Sequence, residues 1–396
     1  MIKKNKKWYI LSVMFLLCLV LIPYTLSKYS TTIRTKITIS ARQPNYTVVF
    51  NSNVPTGSTS TGTMSNQLFV YGTTQDLNIN TFSVDGYVFY EWNTTADGSG
   101  TAYSDEENVS NLSSIDGDIV NLYAQWDIVT YTTIQGNGEY LLGIMKNLAE
   151  GSTVSSPYTT YDSNAVYFKR ATADQFNLIE NTLTSDNKIP VGNNDPDLYM
   201  WFDTNTIYYY TEADYIKLTG SAAKMFARFD NLVDISGLEY FDTSGVTDMN
   251  RMFQDNSKIT DLSPLASWDV SNVTDMTFMF GANPTREMSI SDLNPLSDWD
   301  VSNVKSFYQT FKECTSITTL YGLRNWNVSS ATNMEQMFNY NSITAEGAQY
   351  ISNWNVNNVT SFKNMFNHSS VLTSSTMPIF TTRTGTWDNE GTYSPN

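Results

Sequence analysis

The sequence predicts a mixed, β-rich chain. Its C-terminal half reads as a solenoid of leucine-rich type, with one short strand and one short helix per repeat of about 27–31 residues, preceded by a smaller β module. Three observations carry this. A motif recurs in a fixed frame, its closing phenylalanines Phe253, Phe280, Phe311, Phe338 and Phe366 lying 27, 31, 27 and 28 residues apart. Between copies the apolar residues return every third position, as in Ile259, Leu262, Leu265 and Trp268, which is neither a helix nor a strand period. Upstream, short aromatic runs alternate with turn-forming residues.

The first element is an N-terminal segment with Lys3, Lys4, Lys6 and Lys7 ahead of an almost wholly apolar run from Trp8 to Leu26. That pattern reads as an export signal, with the lysines remaining cytoplasmic and the rest delivered outside. Pro23 to Ser27 offers no Ala-x-Ala cleavage site, and the run is nearly long enough to span a bilayer. Residues 1–28 are therefore either a cleaved signal peptide or a retained membrane anchor. Lipidation at Cys18 is not expected, because Leu17 stands where a small residue belongs.

Beyond residue 28 the chain carries 18 basic against 39 acidic residues, which makes nucleic acid a poor partner. Cys314 is the only cysteine outside the signal, so no intrachain disulfide is available and stability must come from packing. Hydrophobic residues at 41% and aromatics at 14% supply the material for real cores.

Residues 29–45 read as a linker. Residues 46–127 form the β module, with strands at Tyr46–Phe50, Gln67–Gly72, Gly86–Trp92 and Val120–Trp126. Residues 128–163 read as a second linker, with a short helix allowed over Tyr140–Leu148. Residues 164–230 read as an N-terminal capping segment. In it, Leu198–Phe202 and Thr206–Tyr210 flank the turn Asp203-Thr204-Asn205 as a β-hairpin. The repeats proper occupy 231–380, and residues 381–396 read as a polar tail, leaving the last repeat without an identifiable cap.

Within one repeat, Leu265 to Val270 is expected to be the strand, with Trp268 and Val270 inward and Asp269 outward. Asn272 is expected to cap a short helix from Val273 to Phe280. The polar pair three residues apart recurs at Asn272/Asp275, Asn303/Ser306, Ser330/Asn333 and Asn358/Ser361 in the manner of a capping box. Trp268, Trp299, Trp326 and Trp354, with the five closing phenylalanines, are the expected repeat core. Their regular recurrence argues against a cofactor or carbohydrate role.

The outward strand position, Asp242, Asp269, Asp300, Asn327 and Asn355, is the candidate binding column. Stacked about 5 Å apart, three aspartates would repel unless a cation, water or a basic partner compensates. The blander reading is a hydrogen-bonding turn required in every repeat. No cofactor and no metal site is expected: Asp97 to Gly100 lacks the later carboxylate of an EF-hand loop. No catalytic residue is expected either. His368 is the only histidine and has no nucleophile motif near it, and Cys314 occupies the repeat position held elsewhere by Asn256, Asn283, Asn341 and Ser369.

The repeat Trp268-Asp269-Val270-Ser271-Asn272-Val273-Thr274-Asp275-Met276, closing on Met279-Phe280, resembles the BspA-like leucine-rich surface proteins over residues 164–380. Residues 46–126, from Gly86-Tyr87-Val88-Phe89 through Asp97-Gly98-Ser99-Gly100 to Leu122-Tyr123-Ala124-Gln125-Trp126, resemble the Listeria-Bacteroides repeat, which implies a β-grasp-like fold. Both resemblances imply a bacterial surface protein, the first associated with adhesion to host matrix proteins; the partners expected here are host matrix or neighbouring-cell macromolecules, protein or glycan. Gram-positive relatives often end in a Leu-Pro-x-Thr-Gly sorting signal. This sequence closes on Tyr393-Ser394-Pro395-Asn396, so covalent wall attachment is not expected, and either the N-terminal segment anchors the protein or it is released. The two functional expectations are an adhesin or binding scaffold, and a structural envelope spacer without a specific ligand. A glycan hydrolase with paired carboxylates ranks below both.

Overall fold

Alternating apolar residues build the first unit. In Asn45–Asn51 every second side chain, Tyr46, Val48 and Phe50, is buried. This strand pairs in parallel with Asp118–Ile128 and antiparallel with Gln67–Val70. The five-stranded sheet runs in the order 67–70, 45–51, 118–128, 87–93, 102–103. Its core gathers around Trp92, whose ring lies 4.8 Å from Phe50 and 5.0 Å from Phe89. The computed structural model describes residues 43–369 and 372–395. The export signal expected at 1–28 and most of the 29–45 linker lie outside the described residues. The structure establishes a small mixed sheet here, while the finer β-grasp comparison rests on the sequence resemblance.

The second unit runs from Val129. Residues 128–163, expected as a linker, instead end the first unit's strand at Ile128 and from Val129 fold into the second unit, contributing Ile134, Leu141, Leu142, Met145 and Ala149 to its core. Tyr131–Thr133 pairs in parallel with Tyr215–Ser221. Asn137 caps a helix over Gly138–Glu150, which Gly151 ends in the left-handed conformation. That helix buries Leu141, Leu142, Met145 and Ala149, a one-face spacing that was visible in the sequence. The expected hairpin is present, with Leu198–Asp203 and Thr206–Tyr210 in antiparallel register and Thr204 at positive φ in the turn.

From Phe226 onward successive coils stack. The closing phenylalanines form a continuous column: ring centroids from Phe226 through Phe253, Phe280, Phe311 and Phe338 to Phe366 are 5.6, 5.5, 5.6, 5.8 and 5.4 Å apart and all stacked. Trp268, Trp299, Trp326 and Trp354 form a second column at 6.5, 6.5 and 6.4 Å. Each of these indoles donates to a leucine carbonyl of the preceding coil, for example Trp326 Nε1 to Leu296 O at 2.8 Å. Offset stacking together with a satisfied N–H is what buried tryptophan requires.

Two local expectations are corrected. The Leu265–Val270 strand is absent; Ser263–Leu265 forms a 3₁₀ turn, and the parallel bridges join Asp248, Asp275, Ser306, Asn333 and Ser361. The Val273–Phe280 helix is also absent. Left-handed residues two positions before each closing phenylalanine, Arg251, Phe278, Gln309, Gln336 and Asn364, interrupt any helical run. The alternation points every second N–H at the next coil: Arg251 to Thr277 O, Phe253 to Met279 O and Asp255 to Gly281 O. A one- or two-turn helix is marginal alone, and bonding between coils satisfies the same donors while tying the repeats together.

The 381–396 tail is corrected as well. Gly385–Trp387 and Tyr393–Pro395 form a hairpin, and Trp387 and Tyr393 lie 5.3 Å from Phe366 and 5.2 Å from Phe362. Arg383 Nη1 donates to the carbonyls of Val356 and Val359 in the last coil. This hairpin supplies the cap that the sequence pattern did not reveal.

Candidate functional site

Exposed positions on a repeat array recur at the coil spacing, so any side chain fixed in one coil becomes a column. Asp269, Asp300, Asn327 and Asn355 are exposed, and Asp242 is half-buried at the start. Each accepts the backbone N–H two residues on: Asp242 from Ser244, Asp269 from Ser271, Asp300 from Ser302, Asn327 from Ser329 and Asn355 from Asn357, at 2.9–3.3 Å. These are side-chain-capped turns, in which a short polar side chain mimics the next backbone carbonyl. The expected capping asparagines act between coils: the Nδ2 groups of Asn272, Asn303 and Asn358 donate to the carbonyls of Ser244, Ser271 and Ser329.

The turn bonds shape the charge. Hydrogen bonds from the Ser302 side chain and N–H hold the Asp300 carboxyl below the usual range. At Asp242 burial pushes the other way, but the Ser244 bonds and Lys217 together outweigh it and leave the carboxyl lowered. Lys217 Nζ lies 3.0 Å from Asp242 Oδ2 and 5.1 Å from the Tyr131 ring. The column therefore stays ionised at Asp242 and Asp300, and only its first member has an ammonium partner among the described residues.

The N-terminal end of the column opens into a cleft of about 230 Å³ that brings Asp242 and Asp269 together with Glu239, Tyr131 and Tyr215. Sequence reasoning missed the last three. Tyr131 fell in a presumed linker, and only the pairing of its strand with Tyr215–Ser221, itself paired with Phe241–Asp248, brings it here.

The expected core residues Trp268, Trp299, Trp326 and Trp354 and the five closing phenylalanines are all buried. Cys314 is fully buried, its Sγ directed at Phe280 O, and burial pushes its thiol well above the usual range. His368 is exposed and stacked 4.1 Å from Tyr340. Among the described residues no group of three or more His, Cys, Asp or Glu is placed to hold a metal ion. No helix among them is long and apolar enough to cross a membrane.

Residues 220–347 and 285–387 match the family described as Mycoplasma protein of unknown function, DUF285, and residues 46–125 match the Listeria-Bacteroides repeat domain. Together the two matches support a bacterial surface repeat protein. No curated protein and no solved structure matches the chain.

Proposed function

We propose that this surface protein is a non-enzymatic adhesin or binding scaffold of the BspA-like leucine-rich type, exported by its N-terminal segment. Its ligands are protein or glycan macromolecules of a host matrix or a neighbouring cell, held on the exposed polar column. The observation that carries the reading is the column itself. Five consecutive coils present the same hydrogen-bonded Asp or Asn over a core that stacking locks in place. A preorganised polar strip loses little entropy on binding. The test is binding of purified residues 29–396 to immobilised matrix proteins and glycans at physiological salt, with and without Ca²⁺. Saturable binding is expected, and a silent panel counts against the reading.

The envelope spacer is the second reading. One observation favours it: every member of the column already serves its own turn, so the residues have a structural reason to recur without any ligand.

A further inference from the structure

The cleft at the head of the column has a chemistry of its own. Tyr131 and Tyr215 stand opposite each other in parallel strands, ring centroids 6.2 Å apart, and about a third of each is exposed. Glu239, Asp242 and Asp269 line the same cleft. Lys217 pairs with one of these carboxylates, its ammonium lying 3.0 Å from Asp242 Oδ2 and 5.1 Å from the centre of the Tyr131 ring. The strand register forces that arrangement, because Lys217 is directly opposite Asp242. Two residues that line the cleft, Asp242 and Tyr131, thus already hold one ammonium beside it, with a carboxylate on one side and a tyrosine face on the other. Glu239 and Asp269 repeat the acidic half of that arrangement without an ammonium of their own in the ion pairs described.

We propose that this cleft receives an arginine or lysine side chain from a basic segment of a partner protein. The proposal rests on the binding reading above and names the partner's chemistry at one end of the same column. Charge favours a cation over a neutral sugar: the wall is net acidic, and the whole sequence holds 39 acidic against 23 basic residues, which steers a basic segment toward it. The volume of about 230 Å³ suits one long side chain rather than an extended oligosaccharide.

The experiment titrates residues 29–396 with hexa-arginine, hexa-glutamate and a neutral hexasaccharide at about 150 mM salt, where diffuse surface attraction is screened beyond about 8 Å. Hexa-arginine should bind saturably and the other two should not. Glu239→Gln combined with Asp269→Asn should weaken it about tenfold or more, and Tyr215→Ala by about two- to thirtyfold. Glu346→Gln with Glu390→Gln removes the same charge from exposed positions on a later coil and in the turn of the C-terminal hairpin, and should change affinity less than about twofold. Each variant is checked for an unchanged melting temperature, and Tyr215→Phe, which keeps the ring, should bind like the parent. Equal weakening by the control pair would reduce the effect to overall charge and overturn the proposal. So would hexasaccharide binding lost in the Glu239/Asp269 variant. If the matrix panel binds and hexa-arginine does not, the cleft assignment fails alone; if hexa-arginine binds and the panel stays silent, the adhesin reading fails instead.

Discussion

Lys146 shows what a single residue must satisfy inside this core. It is fully buried, donating from Nζ to the carbonyls of Pro157 and Thr160 and lying 5.3 Å from the Phe229 ring. Burial lowers its ammonium to about 8, against an ordinary 10.5, although Asp162 draws it back up. Between those values the unfolded chain binds more protons than the folded one, so this group adds stability as pH rises through the window. Against a Lys146→Met variant, which removes that titration, the wild type should gain melting temperature steadily from pH 8 to pH 10. A pH-independent difference would show that the folded ammonium is not depressed. Cys314 teaches the complementary lesson. Its place in the frame of Asn256 and Asn341 was legible in the sequence, and all three point a polar atom at the closing phenylalanine carbonyl of the preceding coil.

At the scale of the coil, spacing told more than motif. The recurrence of tryptophan and phenylalanine marked the core, because only residues repeated at every turn of an array can stack on their own copies. The same residues misled about secondary structure. Asn272/Asp275 looked like a capping box, yet both residues bond across coils, Asn272 to Ser244 O and Asp275 through its bridges to Asp248 and Ser306. Sequence pattern records which side chains face inward; it does not record whether a backbone N–H finds its partner within a segment or in the next coil. Trp326 tests the stacking account. It contacts Trp299 and Trp354 at 6.5 and 6.4 Å and donates to Leu296. Trp326→Ala should therefore destabilise the second unit by about 3–5 kcal/mol in chemical denaturation. An unchanged midpoint would remove the tryptophan column from the stabilising core.

Across the molecule, the ends were the least legible part. An array buries each coil against two neighbours, so its terminal coils need covers with different sequences. Those covers lack the repeat by definition. The helix Gly138–Glu150 was read only in part, over Tyr140–Leu148 inside a linker, because it stands outside the repeat frame, and the Trp387/Tyr393 hairpin passed for tail because strands of three residues carry weak periodicity. The cleft was hidden for the same reason: two of its carboxylates lie in the repeat frame, but Tyr131 and Tyr215 come from the cap. Chain-wide charge was readable from the start, and its acidic excess is what the proposed basic partner would meet.

The central claim is that the exposed column binds a macromolecule. The most direct measurement compares residues 29–396 with the Asp269→Ala/Asp300→Ala variant against whichever matrix protein or glycan the parent binds, with melting temperature followed in parallel. The account predicts at least about a tenfold loss of affinity with the fold retained. Undiminished binding by a folded variant would contradict it and leave these aspartates as turn residues alone.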